Sequence, residues 1–207
     1  MSYQHNEFYP LNKAKTPKGE ITQQKLLEAA EEIFGRKGYY NTSVVEITQK
    51  AGVSQGTFYV YFSGKQEIFR QLVIMLNHTI RQEIQIAITG IEDRRSRERI
   101  GYKTFFSFVR RHRNLYKIVL EAQWVDDEIC QWYFKTFAQG YIKGLQGAMN
   151  KGELRRLDPE TLAYCLMGIT IEVSKRWVLW EDREIPEHVF ENMLEFIFHG
   201  MLNDTEE

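Results

Sequence analysis

Apolar positions recur at helical spacing along most of this chain, in blocks separated by short polar or glycine-containing breaks. Leu26, Leu27, Ala30, Ile33 and Phe34 form one stripe, predicting a helix over about 22–37 with Thr22 as a possible cap and Gly38 as its end. Val44, Ile47 and Ala51 fall at i, i+3 and i+7, one apolar face of a second helix. Thr42 or Ser43 can cap it, and Ser43 with Glu46 has the spacing of a capping box. Gly52 supplies a turn, Val53 is read as a buried plug, and Ser54 can cap a short helix over 55–61. A fourth helix is expected from about 64–65 to 89, through Leu72, Met75, Leu76, Thr79 and Ile80. Five more follow, over about 94–112, 114–125, 127–151, 159–181 and 186–202; Asp158-Pro159 and Pro186 mark the last two starts. The pattern predicts an all-α chain of about nine helices, without internal repeat or low-complexity stretch.

Residues 38–65 carry the most specific pattern. Helix, glycine-containing turn and helix is the helix-turn-helix arrangement, whose second helix enters the DNA major groove. That second helix is rich in β-branched and aromatic residues, which form helices poorly. Phe58 and Phe62, at i and i+4, can face the core, which leaves Thr57, Tyr59 and Tyr61 outward with Gln55. Such hydroxyls and amides bond phosphates and base edges, and Gly56 allows close backbone approach. A packed helical hairpin with surface tyrosines is compatible with the same residues.

Residues 21–70 resemble the DNA-binding domain of the tetracycline-repressor (TetR) family, through LLEAAEEIF (26–34), GYYNTSVVEI (38–47), AGVSQGTFYVYF (51–62) and KQEIF (65–69). Two positions depart from the family pattern: Thr48, where a small alanine is usual, and Val45, often a basic DNA contact. The resemblance implies DNA binding through Thr42, Ser43, Val45, Ser54, Gln55, Gly56, Thr57, Tyr59, Tyr61 and Lys65, with Lys65 on a phosphate and Thr22 near the backbone. It also implies a second domain that binds a small ligand, a four-helix bundle formed by the last two helices with those of a second copy, and release from DNA as the default response.

Composition narrows the picture. A hydrophobic content of 43% with 14% aromatic residues is that of a globular chain. Net charge is −1, but residues 1–70 hold 9 Lys/Arg against 7 Asp/Glu, the sign expected of a DNA-binding end. No apolar run reaches the ~20 residues that span a bilayer, and the polar start has no signal-peptide core. Cys130 and Cys165 have neither pairing nor metal spacing, so a reduced cytoplasm is the simplest compartment. Residues 1–20, with Lys13, Lys15 and Lys18, read as a flexible tail or as an arm touching phosphates.

Beyond residue 92, Phe105, Phe108, Tyr116, Trp124, Phe134, Phe137 and Tyr141 recur at helical spacing, as a core or as the wall of a hydrophobic cavity. Among these stripes His112, Glu121, Gln123 and Glu172 are candidates to orient a ligand. The run RRSRER (94–99) with Arg110, Arg111 and Arg113 can hold an anionic ligand tail, or can be a solvated helix face. Leu162, Leu166, Ile169, Val173 and Trp177 on one helix, and Phe190, Met193, Leu194, Ile197 and Met201 on the next, read as an association surface over 159–202 or as internal core. No nucleophile elbow, paired carboxylates beside a histidine, metal spacing or phosphate-cradling glycine loop occurs, so no catalytic residue, metal or cofactor is expected.

The expected organisation is therefore a tail over 1–20, a DNA-binding domain over 21–70, and a helical ligand-binding and dimerisation domain over 71–207. The function expected is a cytoplasmic, ligand-responsive regulator, a homodimeric repressor on a palindromic operator, with no membrane partner. The effector expected is a fatty acid or fatty acyl-CoA. A drug or aromatic effector, and a constitutive DNA binder without effector, are the alternatives.

Overall fold

A computed structural model describes residue 14 and residues 16–201. The described residues form nine α-helices in an all-α fold: α1 (Pro17–Lys37), α2 (Val44–Ala51), α3 (Gln55–Tyr61), α4 (Lys65–Ile88), α5 (Arg94–Arg111), α6 (Arg113–Val125), α7 (Asp127–Asn150), α8 (Pro159–Val173) and α9 (Glu187–Met201). Local chemistry accounts for most of these ends. The Glu46 N–H donates to Ser43 Oγ, and the Ser43 N–H donates to Glu46 Oε2, at 3.3 and 2.9 Å, closing the capping box of α2. Gly52 has φ 69° and ψ 34°, a left-handed conformation that turns α2 into α3 without a Cβ clash. Asp93 and Asp158 cap α5 and α8 through the N–H groups of Ser96 and Thr161, both at 2.7 Å.

The start of α1 differs from the sequence expectation. Thr16 caps it rather than Thr22: its Oγ1 accepts the Gly19 N–H at 3.1 Å and Pro17 occupies the first turn. Thr22 lies inside the helix and donates to the Lys18 carbonyl at 3.0 Å. Residues 17–20 are thus helical, while Lys13 and Lys15 fall outside the described residues. Over residues 174–180, expected to continue α8, the chain is a π-helix. Here Arg113 donates to the Leu179 carbonyl at 3.0 Å, and Asp182, held by Arg110 and Arg113, follows with φ 52°.

The chain packs as two compact units. The first contains the described residues up to Leu76 together with Asn114–Cys130; the second contains Asn77–Arg113 and the described residues from Gln131 on. The helix-turn-helix unit therefore exceeds 21–70. It includes α6, because Leu115, Ile118, Val119 and Ala122 are buried there alongside Leu26, Phe34, Ile47, Phe58 and Phe69. Burying each of the leucine, isoleucine, valine and phenylalanine side chains contributes roughly 1.5–3 kcal/mol, reason enough for a helix remote in sequence to join this core. The core of the second unit takes Tyr102, Phe105, Phe108 and Val109 from α5, Leu145 and Met149 from α7, and Leu166 and Met167 from α8.

In the second unit the apolar stripe of α9 turns inward and that of α8 does so only in part. Leu166, Phe190, Met193, Leu194, Ile197 and Met201, read above as an association surface or internal core, are buried within this chain, while Leu162, Ile169, Val173 and Trp177 are half-buried. Among the exposed residues are Tyr164 and Gly168 on α8 and Phe196 and Gly200 on α9, each pair an aromatic with a glycine four residues on. A Cβ on either glycine would meet nothing within 4 Å.

Candidate nucleic-acid interface

The second helix of the motif is short and held at both ends of its turn. Ser54 Oγ accepts the Thr57 N–H at 3.1 Å and lies 2.9 Å from the Thr57 hydroxyl, so these two hydroxyls are tied to each other. Phe58 and Phe62 are buried with ring centroids 5.5 Å apart, and they fix the inner face of α3. Gln55, Gly56, Tyr59 and Val60 are then exposed together, Tyr59 at 56% and Val60 at 76%. Sequence periodicity placed Gln55, Thr57, Tyr59 and Tyr61 outward, of which Thr57 and Tyr61 are half-buried, and passed over Val60, whose apolar character favoured a core position. Its i, i+4 relation to Gly56 is the signal that locates it on the outer face.

Tyr61 points elsewhere. A Cβ on Gly19 would come within 3.3 Å of the Tyr61 hydroxyl oxygen, which therefore lies against the start of α1. Val53 is half-buried rather than fully enclosed. On α2, Val45 is exposed and apolar, and Ser43 is exposed with its hydroxyl in the capping box. The Lys37 ammonium, and after it the Ser43 N–H and hydroxyl, hold the Glu46 carboxyl down to about 2.

Two of the expected phosphate contacts are used inside the unit. Thr42 is buried and its hydroxyl donates to the Gly38 carbonyl at 2.8 Å, so it shapes the loop before α2 and does not present its hydroxyl outward. Lys65 Nζ donates to the carbonyls of Tyr39 and Thr42, at 2.9 and 2.7 Å, and lies 4.2 Å from the Tyr39 ring centroid. Burial lowers its pKa. From α6, Glu121 accepts the Tyr39 N–H, and the Trp124 carbonyl accepts the Tyr40 hydroxyl at 2.6 Å. The loop joining α1 to α2 is thus gripped by α4 on its carbonyls and by α6 on its donors. Farther along, Arg70 and Gln66 donate to Asp126 at 2.5 and 2.7 Å.

The expected ligand set divides between the units. Tyr116, buried, and Trp124, 74% exposed, belong to the helix-turn-helix unit with Glu121 and Gln123. Glu172 is exposed and paired with Lys175. Phe105, Phe108, His112, Phe134, Phe137 and Tyr141 remain in the second unit. Phe105 meets Phe137 with ring centroids 6.4 Å apart, and the His112 ring lies 4.4 Å from that of Phe108, where burial lowers the histidine pKa. Sequence reasoning missed Tyr102, whose hydroxyl is 2.7 Å from that of Tyr141, and Glu98, which accepts the Tyr141 hydroxyl at 2.8 Å.

Residues 26–72 match the family of bacterial regulatory proteins, tetR family. The chain is a TetR-family transcriptional regulator. It is 28% identical to YdgC, an uncharacterized HTH-type transcriptional regulator of Bacillus subtilis, over 89% of this chain and 95% of that protein. It is 25% identical to the fatty acid metabolism regulator protein of Bacillus subtilis, over 92% and 99% of the two chains. A solved structure from Clostridium perfringens, provisionally described as a fatty acid metabolism regulator, superposes with a TM-score of 0.73 at 26% identity, covering 87% of this chain and all of that one. Members of this family bind DNA and work as dimers without catalysing a reaction. Among the described residues, no helix of this regulator is long and apolar enough to cross a membrane.

Proposed function

We propose that this TetR-family regulator is a dimeric repressor that reads a palindromic operator through α3 and leaves it when the second unit takes up a fatty effector. The observation that carries the reading is the outward face of α3. Gln55, Gly56, Tyr59 and Val60 are exposed together on a helix whose other face is anchored by buried rings. Gln55 and Tyr59 supply hydrogen-bonding groups for base edges or phosphates, Gly56 permits close approach, and Val60 suits a thymine methyl. Ser43 and Val45, exposed at the start of α2, are further candidates for contact, while Thr42 and Lys65 are engaged with backbone carbonyls inside the unit.

One such helix specifies few base pairs, so two copies about 34–36 Å apart are needed for an operator-grade affinity. The exposed Tyr164/Gly168 and Phe196/Gly200 pairs on α8 and α9 suit a self-complementary contact, the glycines allowing close approach of a second chain. Similarity to a fatty acid metabolism regulator over nearly its whole length supports a fatty acid or acyl-CoA effector. α4 and α7 each run from one unit into the other, and α6 follows directly on α5 of the second unit. A change of shape there reaches the loop at Tyr39 and Tyr40 along the chain itself. Weakening DNA binding 100-fold requires about 2.7 kcal/mol of differential effector affinity for the two states.

The test is fluorescence anisotropy of labelled DNA from upstream of the regulator's own gene, titrated with protein and then with long-chain acyl-CoA. Tight, salt-sensitive binding reversed by the thioester is expected. Binding that ignores both acyl-CoA and fatty acid would remove the effector class, and no preference over random DNA would remove autoregulation.

A further inference from the structure

The basic run at the start of α5 is unevenly committed. Arg99 pairs with Glu191, and Arg95 lies 5.1 Å from the Phe198 ring centroid. Arg94 pairs with Glu98, and both side chains are enclosed, 10% and 7% exposed. Yet the Nε atoms of Arg94 and of Arg97, one turn along the same helix, are buried without a hydrogen-bond partner among the described residues. Next to this pair stand the Tyr141 hydroxyl, donating to Glu98, and the Tyr102 hydroxyl against Tyr141. Burial, and then the charge of Glu98, keep both phenols protonated.

The cluster therefore holds a surplus of donors. The Arg94 guanidinium and two phenols meet a single carboxylate, Arg97 lies three residues from Arg94 on the same helix, and part of the donor capacity of both arginines is idle where water does not reach. Leaving such donors unmatched is costly, and an anion supplied from outside would remove that cost. The elements that carry the cluster continue into rings: one turn on from Tyr102 along α5 is Phe105, one turn before Tyr141 along α7 is Phe137, and these two rings meet. Arg97 and Tyr141 keep part of their surface accessible, which leaves a way in.

We infer that Arg94, Arg97, Tyr102 and Tyr141 form an anion subsite for the head of an amphipathic effector, and that Glu98 occupies it in the absence of effector as an internal competitor. The inference rests on the reading that the second unit takes an effector, and it specifies the chemistry recognised: a carboxylate or a phosphate joined to an apolar chain lying along Phe105 and Phe137. Competition by Glu98 makes the site selective. A small anion lacks the tail needed to displace a carboxylate already in place, while a fatty anion gains enough from burial to do so.

Calorimetric titration of the full chain with dodecanoate, dodecanoyl-CoA and 1-dodecanol tests this. The wild type should bind at least one of the two anions ten-fold or more tighter than the alcohol. Preference for dodecanoate identifies a carboxylate head, and preference for the thioester a phosphate. Glu98→Gln should tighten the preferred anion about ten-fold and leave the alcohol unchanged; Tyr141→Phe should loosen the anion several-fold. A doubly substituted Arg94→Gln/Glu98→Gln chain, which contains no unpaired buried charge, should lose the preference for anion over alcohol and serves if Glu98→Gln melts early. Equal binding of alcohol and anion, or no gain in Glu98→Gln, overturns the inference. Operator binding measured on the same samples separates the two readings. If DNA is released by a fatty compound and Glu98→Gln changes nothing, the subsite alone falls. If no fatty compound binds any variant, the effector reading falls with it.

Discussion

The carboxylate of Glu121 accepts the backbone N–H of Tyr39 on both of its oxygens, at 2.9 and 3.1 Å. A side chain of α6 thereby satisfies a backbone donor of the loop that follows α1, which ends at Gly38, whose φ of 81° would strain any residue with a Cβ. Lys65 meets the same loop from the opposite polarity, on the carbonyls of Tyr39 and Thr42. The position of α2 relative to α1, and so the angle at which α3 is presented, depends on this pair of contacts.

Replacing Glu121 with alanine should lower stability by about 1–3 kcal/mol, the penalty for a part-buried donor without its acceptor. Operator affinity should fall together with it. Thermal melts and DNA anisotropy on the same protein check this; full affinity in a destabilised variant would show that the loop does not set the angle of α3.

Removing the Tyr59 hydroxyl separates contact from folding. Tyr59 is exposed and its ring packs edge-on against Phe58 at 5.4 Å, so Tyr59→Phe keeps the packing. Operator affinity should drop about ten-fold, near 1.4 kcal/mol, with the melting temperature unchanged. Val60→Glu should cost more affinity, because it sets a negative charge on the face turned to the phosphates, again without unfolding.

Lys65 offers a sharper distinction between frame and contact. A lysine that neutralises a phosphate changes the slope of log K against log salt by about 1 when removed. Lys65 already donates to two carbonyls, so Lys65→Met should destabilise the unit by about 1–3 kcal/mol while the slope is preserved. A slope reduced by one unit with unchanged stability would return Lys65 to the interface.

Acid should weaken the helix-turn-helix unit through Asp126. Burial raises its pKa, but hydrogen bonds from Arg70, Gln66 and the Ile129 N–H outweigh this and hold it below the ordinary value of 3.8. A carboxylate with a depressed native pKa contributes fully above its unfolded value and loses that contribution as pH falls through the native one. The wild type should therefore exceed Asp126→Asn in melting temperature at pH 7, and the gap should close progressively below about pH 4. A gap that stays constant down to pH 3 would mean that the carboxylate charge contributes nothing.

Much of this protein was legible in one dimension. The nine helices, the capping box at Ser43 and Glu46, the Gly52 turn and the inward Phe58/Phe62 pair all follow from interactions spanning a few residues, which periodicity and cap chemistry report directly. Gln55 and Tyr59 on the outer face of α3 were found the same way, Thr57 and Tyr61 were placed outward but are half-buried, and Val60 was passed over because hydrophobicity marks burial in general but not at an exposed face.

What the tertiary structure decided involves partners far apart in sequence. Glu121 and Tyr39 are separated by 82 positions, Arg70 and Asp126 by 56, and no local pattern ties α6 to the helix-turn-helix rather than to the other rings of residues 105–141. Thr42, Lys65 and Tyr61 have outward-looking chemistry in sequence and inward roles in space, since a buried loop must find donors and acceptors wherever packing brings them. The apolar stripes of α8 and α9 could equally have covered a partner or closed a core. The packing buries the α9 stripe and Leu166, leaves Leu162, Ile169, Val173 and Trp177 of the α8 stripe half-buried, and leaves Tyr164 and Phe196 outside.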